Sequence, residues 1–89
     1  MALLFDPNAL GGIPEHDQIR LLEKANWLWE NRTFVRHMPL SHNLAGFFKR
    51  RVGDYRIVYS YDGDADELTV HLVGTRDDIY DLAAKRLGG

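Results

Sequence analysis

The chain contains no cysteine, no long apolar run and no proline-, serine- or glycine-rich tract long enough to link two domains. The lack of cysteine excludes a disulfide-stapled secreted scaffold, a thiolate zinc finger and a cysteine nucleophile, and fits a cytoplasmic protein. The apolar opening, residues 1–5, ends at Asp6 and Pro7. It is too short for a signal peptide or for the roughly 20 residues of a membrane span. We therefore expect a soluble protein with no membrane partner.

The size and composition are those of one small globular domain. The chain has 89 residues, of which 45% are apolar and 27% are charged. Domains usually contain roughly 100–200 residues, so a second core has no room here. We expect residues 1–89 to form a single domain.

Charge is unevenly distributed along the chain. The formal net charge of −2 argues by itself against nucleic-acid binding. However, residues 32–56 hold six cations and one anion, so this segment carries +5 and the remainder carries −7. The basic segment is the first candidate for a functional surface.

Apolar spacing predicts a first strand and then a helix in the N-terminal half. Residues 3–5 form a short apolar run, and Pro14 suits the first turn of a helix with Glu15 and Asp17 near its positive end. At 100° per residue, one side of this helix faces the core; it carries Ile19, Leu21, Leu22, Ala25, Leu28 and Trp29. Asn31 is expected to end the helix, before an irregular stretch through residues 39–43.

The C-terminal half predicts three antiparallel strands and a short helix. The strands are residues 47–52, 55–61 and 68–73, joined by a two-residue turn at Gly53 and a second turn near residues 62–66. We expect Thr75 or Asp77 to cap the last helix and Gly88 to end it. Its apolar stripe is Ile79, Leu82, Ala83 and Leu87.

A two-residue turn at Gly53 and Asp54 fixes the register of the first hairpin. Arg51 then faces Arg56, and Lys49 lies two residues from Arg51 on the same side, because side chains alternate along a strand. The other side is largely apolar and carries Phe48, Val52, Tyr55, Ile57 and Tyr59. Arg50 falls on this apolar side, so that its stem must extend to an edge of the sheet.

Opposed like charges destabilise a strand pair, and a bound anion would remove that cost. The cluster therefore suits a polyanionic ligand, since arginine grips phosphate with two hydrogen bonds. The alternative is a solvated basic strand face. Arg76 and Tyr80 follow the last strand and could complete the site; the alternatives are a cation flanking the helix for Arg76 and a half-buried packing ring for Tyr80.

No metal or cofactor is expected. Without cysteine, the four histidines do not form a typical structural zinc-ligand set; they are His16, His37, His42 and His71. Asp62, Asp64 and Asp66 alternate like calcium ligands, but Glu67 stands where a calcium-binding loop requires glycine.

The segment 44–59, LAGFFKRRVGDYRIVY, followed by VGTRDDIY at 73–80, resembles the RelE family of toxins from type II toxin–antitoxin systems. The resemblance covers roughly residues 14–80. It implies a small α+β fold of the microbial-ribonuclease type. In this fold helices pack on one face of an antiparallel sheet, a short helix follows at the C terminus, and the other face of the sheet is a basic concave surface.

The resemblance also implies an activity, cleavage of messenger RNA in the ribosomal A site. The 2′-hydroxyl attacks the adjacent phosphate, leaving a 2′,3′-cyclic phosphate and a 5′-hydroxyl. Lys49 and Arg51 match the two basic strand positions of the family, Arg56 the phosphate-binding arginine, and Arg76 the arginine near the leaving group. Tyr80 matches the tyrosine that stacks on or orients the nucleotide.

With Arg50, the basic pair Lys49 and Arg51 is expected to bind RNA. Lys49 is the better candidate for the proton acceptor, since nearby cations favour a neutral amine whereas an arginine stays protonated. Arg51 stands where some members have a second lysine. Thr75 replaces a frequent histidine, and Asp77 places acid beside the site.

The partners implied are a RelB-like antitoxin, the ribosome and mRNA, with the toxin–antitoxin complex binding operator DNA through the antitoxin. Two alternatives remain open. One is a ParE-like toxin that inhibits DNA gyrase, although such relatives generally lack the full basic and tyrosine set. The other is a non-catalytic module that binds RNA or protein through the same face.

Overall fold

The computed structural model describes residues 1–40 and 44–88. It contains a five-stranded sheet in the order β1-β5-β4-β3-β2 and two helices, as the α+β fold class predicts. β1 runs parallel to β5, and the other neighbouring strands are antiparallel. The elements are β1 (Ala2–Phe5), α1 (Glu15–Glu30), β2 (Met38–Pro39), β3 (Phe48–Val52), β4 (Tyr55–Asp62), β5 (Glu67–Thr75) and α2 (Ile79–Leu87).

One side of the sheet, the α1 face, packs against helix α1. The helix buries Leu21, Ala25 and Leu28, which recur at the spacing of one helical face. They contact a core that the strands supply from Ile57, Tyr59, Leu68, Val70 and Val73. Burying such side chains stabilises the fold by about 1.5–3 kcal/mol each. The apolar side expected for the first hairpin is therefore confirmed.

The buried side of α1 is narrower than its apolar pattern predicts. Ile19 is 54% exposed and Leu22 is 37% exposed, so their placement in the core was wrong. The reason is helical phase. At 100° per residue, Ile19 lies roughly 150° and Leu22 roughly 90° from the direction of Leu21, Ala25 and Leu28.

The opposite side of the sheet, the α2 face, is covered by the C-terminal helix. Val58 and Leu72 form a second buried cluster with Ile79 and Ala83 of α2, joined by Leu40 and Leu44. The expected apolar stripe of this helix is confirmed, since Leu82 and Leu87 pack partly buried against the same cluster. Thus, of the two helices, only α1 packs on the α1 face, and α2 lies on the side that carries the basic residues. We expected both helices to pack on one face of the sheet, but they lie on opposite faces. Val58 and Leu72 are apolar residues of the α2 face, and α2 shields them from water.

A bulge in β5 changes which residues of this strand face each core. The pairing shifts between Val58 opposite Leu72 and Tyr59 opposite Val70, so His71 is an extra residue. This extra residue resets the alternation of side chains. As a result Val70 and Val73 both reach the α1 face, although they are three residues apart.

The segment between α1 and β3 contains a strand that the sequence did not predict. Asn31 ends α1 as expected, but Met38 and Pro39 form β2, opposite Lys49 and Phe48 of β3. Of the predicted irregular stretch, residues 41–43 lie outside the described residues.

Within 1–40 and 44–88, no helix has both the length and the apolar character that a membrane span requires.

Candidate functional site

The hairpin of β3 and β4 has the register predicted from its turn. Gly53 has a φ of 59°, and no positive φ occurs at Asp54. A positive φ at the first central position alone is typical of a type II′ turn, which favours glycine there. The strands pair Val52 with Tyr55 and Arg51 with Arg56, and the pairing continues to Phe48 and Tyr59.

This register places Lys49, Arg51 and Arg56 together on the α2 face. Lys49 lies directly opposite Val58, whose side chain is buried in the α2-face cluster. Because partners share a side and residues two apart share a side, Arg51 and Arg56 project the same way. Among the described residues, no carboxylate lies within ion-pair distance of any of these three cations.

The hairpin is held against the rest of the fold by α1. The Tyr55 hydroxyl donates a 2.9 Å hydrogen bond to Asp17, near the start of α1, and this bond raises the pKa of Tyr55. At the turn, a side chain on Gly53 would meet the guanidinium of Arg20 at 2.7 Å. The turn that aligns the cations therefore lies against the side chain of Arg20.

Arg76 joins the hairpin cations at a shared cavity of about 290 Å³. Its backbone N–H donates to the carbonyl of Asp54 at 3.3 Å, which ties the end of β5 to the hairpin turn. Arg51, Arg56 and Arg76 all line the cavity. Three arginine side chains around one cavity can donate the paired hydrogen bonds that a phosphate accepts.

Acidic residues also border this cavity. Asp54 and Asp77 line it, as the position of Asp77 in the sequence led us to expect.

The predicted cap of α2 was wrong, because the N-cap is Asp78 and its side chain makes no capping bond. Instead the hydroxyl of Thr75 donates to the Asp78 carboxylate at 3.1 Å. That contact fixes the short connection that carries Arg76.

Lys49 and Tyr80 form the second part of the site. The Lys49 ammonium donates to the Tyr80 hydroxyl at 2.7 Å, and its Nζ lies 5.4 Å from the centre of the tyrosine ring. Tyr80 is half-buried against the α2-face cluster, at the margin of the helix stripe as expected. Packing of the ring therefore fixes the hydroxyl, and the hydroxyl fixes the amine. Lys49 reaches from a strand and Tyr80 from a helix 31 residues later.

A second cavity, of about 310 Å³, lies next to the first. It shares Arg51 and Arg56 with the first cavity. It is also lined by Lys24, Met38, Lys49 and Arg50. Among the residues the structure describes, no acidic side chain lines it. The predicted site residues thus meet around two adjoining spaces.

Arg50 reaches this second cavity from the other side of the sheet. It pairs with Ile57 on the α1 face, as the register predicts, and extends to the edge of the sheet. There its guanidinium donates to the carbonyl of Arg36 at 3.2 Å and lies 5.6 Å from the Trp27 ring centre. Its Nε is buried without a hydrogen-bond partner in the described chain.

Lys24 is the cation that the sequence analysis did not single out. It is half-buried on α1 and lies 4.0 Å above the ring of Trp27. Its helix is separated from the basic segment in sequence, and no local pattern links them.

In the described part of the chain, no group of three or more acidic or histidine side chains could hold a metal ion.

Several solved structures share this fold. A chain of the RelBE toxin–antitoxin complex from Mycobacterium tuberculosis matches with a TM-score of 0.73 and 28% identity, over 84% of this chain and 96% of that chain. The isolated RelE toxin of Escherichia coli matches at 0.65 and 23% identity, over 96% of both chains. A RelB–RelE complex from Methanococcus jannaschii matches at 0.60 and 23% identity, over 88% and 95% of the two chains. No protein-family model and no curated protein matches the sequence.

Proposed function

We propose that this chain, which belongs to the RelE family of toxins, is the toxin of a type II toxin–antitoxin pair and cleaves mRNA on the ribosome. The observation that carries the proposal is the meeting of Arg51, Arg56 and Arg76 around one cavity, beside the Lys49–Tyr80 pair. Such an array fits a phosphodiester whose negative charge increases as it reacts.

The proposed reaction is an internal displacement at phosphorus. Lys49, in its neutral form, accepts the proton of a ribose 2′-hydroxyl, the 2′-oxygen bonds to the adjacent phosphorus, and the bond from phosphorus to the 5′-oxygen breaks. The products are a 2′,3′-cyclic phosphate and a 5′-hydroxyl, whose proton comes from solvent or from a cationic side chain. Arg51 and Arg56 bind the phosphate oxygens, and Arg76 stabilises the charge on the leaving oxygen.

Tyr80 has two proposed roles in this scheme. Its hydroxyl holds the Lys49 amine within 2.7 Å, so it positions the proton acceptor. The ring is half-buried at the margin of the α2-face cluster, and we propose that it also orients the nucleotide. Both roles require helix α2 to pack on the side of the sheet that carries Lys49.

We further propose that a RelB-like antitoxin binds the chain and keeps it inactive, and that the complex binds operator DNA through the antitoxin. The support is that the matching structures from Mycobacterium tuberculosis and Methanococcus jannaschii are complexes with an antitoxin. Arg51, Arg56 and Arg76, which make no ion pair within the described residues, line the surface whose masking would stop RNA cleavage.

The test is cleavage in a translating extract with purified protein. We expect mRNA cuts positioned by the codon in the A site, ending in a 2′,3′-cyclic phosphate. Arg56→Ala and Arg76→Ala should each reduce the cleavage rate at least about a hundredfold, because each removes a donor that stabilises the transition state. Thermal unfolding should change little, since neither side chain makes an ion pair in the described structure.

Arg86→Ala is the matched control, because it removes an exposed cation from the last turn of α2 without touching either cavity. Full activity of both Arg56→Ala and Arg76→Ala would contradict the assigned site. Trapped gyrase–DNA breaks in place of mRNA cuts would indicate a ParE-like toxin. Neither product would indicate a non-catalytic binding module.

A further inference from the structure

A third cavity continues the basic surface away from the reaction site. It measures about 410 Å³ and shares Met38 and Arg50 with the second cavity. Its other lining residues are Trp27, Asn31, Phe34, Val35 and Arg36. The second and third cavities together form a groove, here called the edge groove, that runs along the β2–β3 edge of the sheet toward the end of α1.

The edge groove combines unpaired cations with exposed aromatic rings. Lys24, Arg36 and Arg50 make no ion pair in the described part of the chain. Although the sequence contains thirteen acidic residues, none of those described lines the groove. Phe34 is 87% exposed and Trp27 is 41% exposed. Folding gains little from exposed rings and uncompensated cations, so the groove fits a ligand that is anionic and carries flat rings.

We propose that the edge groove binds the single strand of RNA that adjoins the cleaved phosphate. Lys24, Arg36 and Arg50 contact its phosphates, and an unpaired base packs against Phe34. The inference rests on the proposed function, because it assumes that RNA occupies the site. It adds a protein surface that binds several further nucleotides, beyond the two that the cleavage reaction itself requires.

Continuity with the reaction site favours RNA over an acidic peptide as the occupant. The groove begins at Lys49, Arg51 and Arg56, the residues that would hold the reacting phosphate. A chain that leaves this point carries one negative charge per nucleotide, which matches the cations that follow. Single-stranded nucleic acid is typically bound by a basic groove with aromatic side chains for stacking.

The test compares the binding of two single-stranded RNAs, 2′-O-methylated to prevent cleavage, by fluorescence anisotropy. One has about 12 nucleotides and the other two, so that only the longer one spans the groove. Neutralising one phosphate contributes about 0.7 to the slope of log affinity against log salt for a single strand. The double variant K24A/R36A should therefore reduce the steepness of this slope by about 1.4 for the longer RNA, and by no more than about 0.7 for the dinucleotide, which can reach Lys24 but not Arg36.

Phe34→Ala should weaken binding of the longer RNA about fivefold or more, without changing the slope, because a stacked base contributes no charge. The matched control K85A/R86A removes the same two charges from the last turn of α2 and should leave the slope unchanged. Circular dichroism and thermal melting check that each variant is folded.

The proposal is overturned if K24A/R36A behaves like K85A/R86A, or if the unmodified protein does not bind the longer RNA. It is equally overturned if K24A/R36A and Phe34→Ala lose affinity only for a synthetic peptide rich in glutamate and leucine, since the groove would then be a protein interface. Cleavage in the translating extract is measured separately. RNA binding without cleavage would defeat the proposed function alone, and cleavage without groove binding would defeat this inference alone.

Discussion

At the scale of single residues, the candidate site contains a short hydrogen bond between Lys49 and Tyr80. An ammonium that donates at 2.7 Å to a packed hydroxyl is held in one geometry, which favours proton transfer at a defined position. A lysine can lose its proton to become a base, whereas arginine stays charged at any ordinary pH. The role of Lys49 can therefore be separated from its charge.

Lys49→Arg should reduce cleavage about as much as Lys49→Ala, by a hundredfold or more, if Lys49 accepts the proton. Arginine keeps the positive charge, so affinity for uncleavable RNA should remain within about threefold of the unmodified protein. Single-turnover cleavage on ribosomes and RNA anisotropy measure the two quantities. Cleavage by Lys49→Arg close to the original rate would show that residue 49 contributes charge and not proton transfer.

Tyr80→Phe distinguishes positioning by the hydroxyl from stacking by the ring. The variant keeps the aromatic packing against α2-face residues but removes the oxygen that accepts from Lys49. We expect kcat to fall about tenfold or more with little change in KM, because the variant keeps the ring that we propose to contact the nucleotide. A loss confined to KM would contradict the positioning role. Thermal melting should show a folded protein.

At the scale of elements, Gly74 determines how closely α2 approaches the sheet. It is buried and lies opposite Arg56 in the β4–β5 register. A side chain at this position would lie 2.9 Å from Leu82 and 3.2 Å from Ile79, both on α2. The first distance is shorter than real side-chain contacts and the second is tighter than most, so Leu82 and Ile79 would have to move. The lack of a side chain therefore brings α2, and with it Tyr80, next to the cationic strands.

Gly74→Ala should lower the free energy of unfolding by about 1–3 kcal/mol, the usual cost of overpacking a well-packed core. It should also reduce cleavage, because α2 must shift and Tyr80 moves with it. Urea unfolding and the cleavage assay check the two effects. Gly63→Ala is the control, since a side chain there meets no atom within 4 Å. Equal stability of the two variants would show that α2 docks without need of Gly74.

At the scale of the whole molecule, a network around Asp66 joins the end of α1 to the β4–β5 hairpin. Arg32, just beyond α1, donates two hydrogen bonds to the Asp66 carboxylate, at 2.6 and 2.9 Å. Tyr61 donates a third bond at 2.9 Å, and the terminal amine of Met1 reaches the neighbouring carbonyl of Ala65. The bond from Arg32 is the main cause that lowers the pKa of Asp66 to about 2.

This lowered pKa predicts a loss of stability in acid. The carboxyl has an ordinary pKa of 3.8, so the folded state holds its proton more weakly than the unfolded state does. The contribution of Asp66 is therefore fully present above pH 3.8 and is lost as the pH falls toward about 2.

Asp66→Asn should be less stable than the unmodified protein at pH 7, and the difference should shrink between pH 4 and pH 2. Asparagine is the suitable substitution because residue 66 has a φ of 53°, which asparagine tolerates better than most residues. Urea unfolding at a series of pH values measures the difference. A difference that stays constant down to pH 2 would show that the charge of Asp66 does not stabilise the fold.

The sequence by itself determined the register of the hairpin and the side of the sheet on which its cations lie. The pair Gly53-Asp54 fixes a two-residue turn, and a turn of known length fixes the register of both strands. The grouping of Lys49 with Arg51 and Arg56, and the departure of Arg50 to the sheet edge, follow from alternation alone. These are local rules, and they hold in the structure.

Only the tertiary structure decided which distant elements meet at that hairpin. Helical periodicity placed Ile19 in the core, but the sheet is contacted by a narrower side of α1. The bulge at His71, the docking of α2 over Gly74 and the position of Lys24 beside the edge groove depend on packing between segments far apart in sequence. Periodicity within a segment gives the direction of its side chains, whereas the partner that covers them is selected by the shape and volume of the whole core.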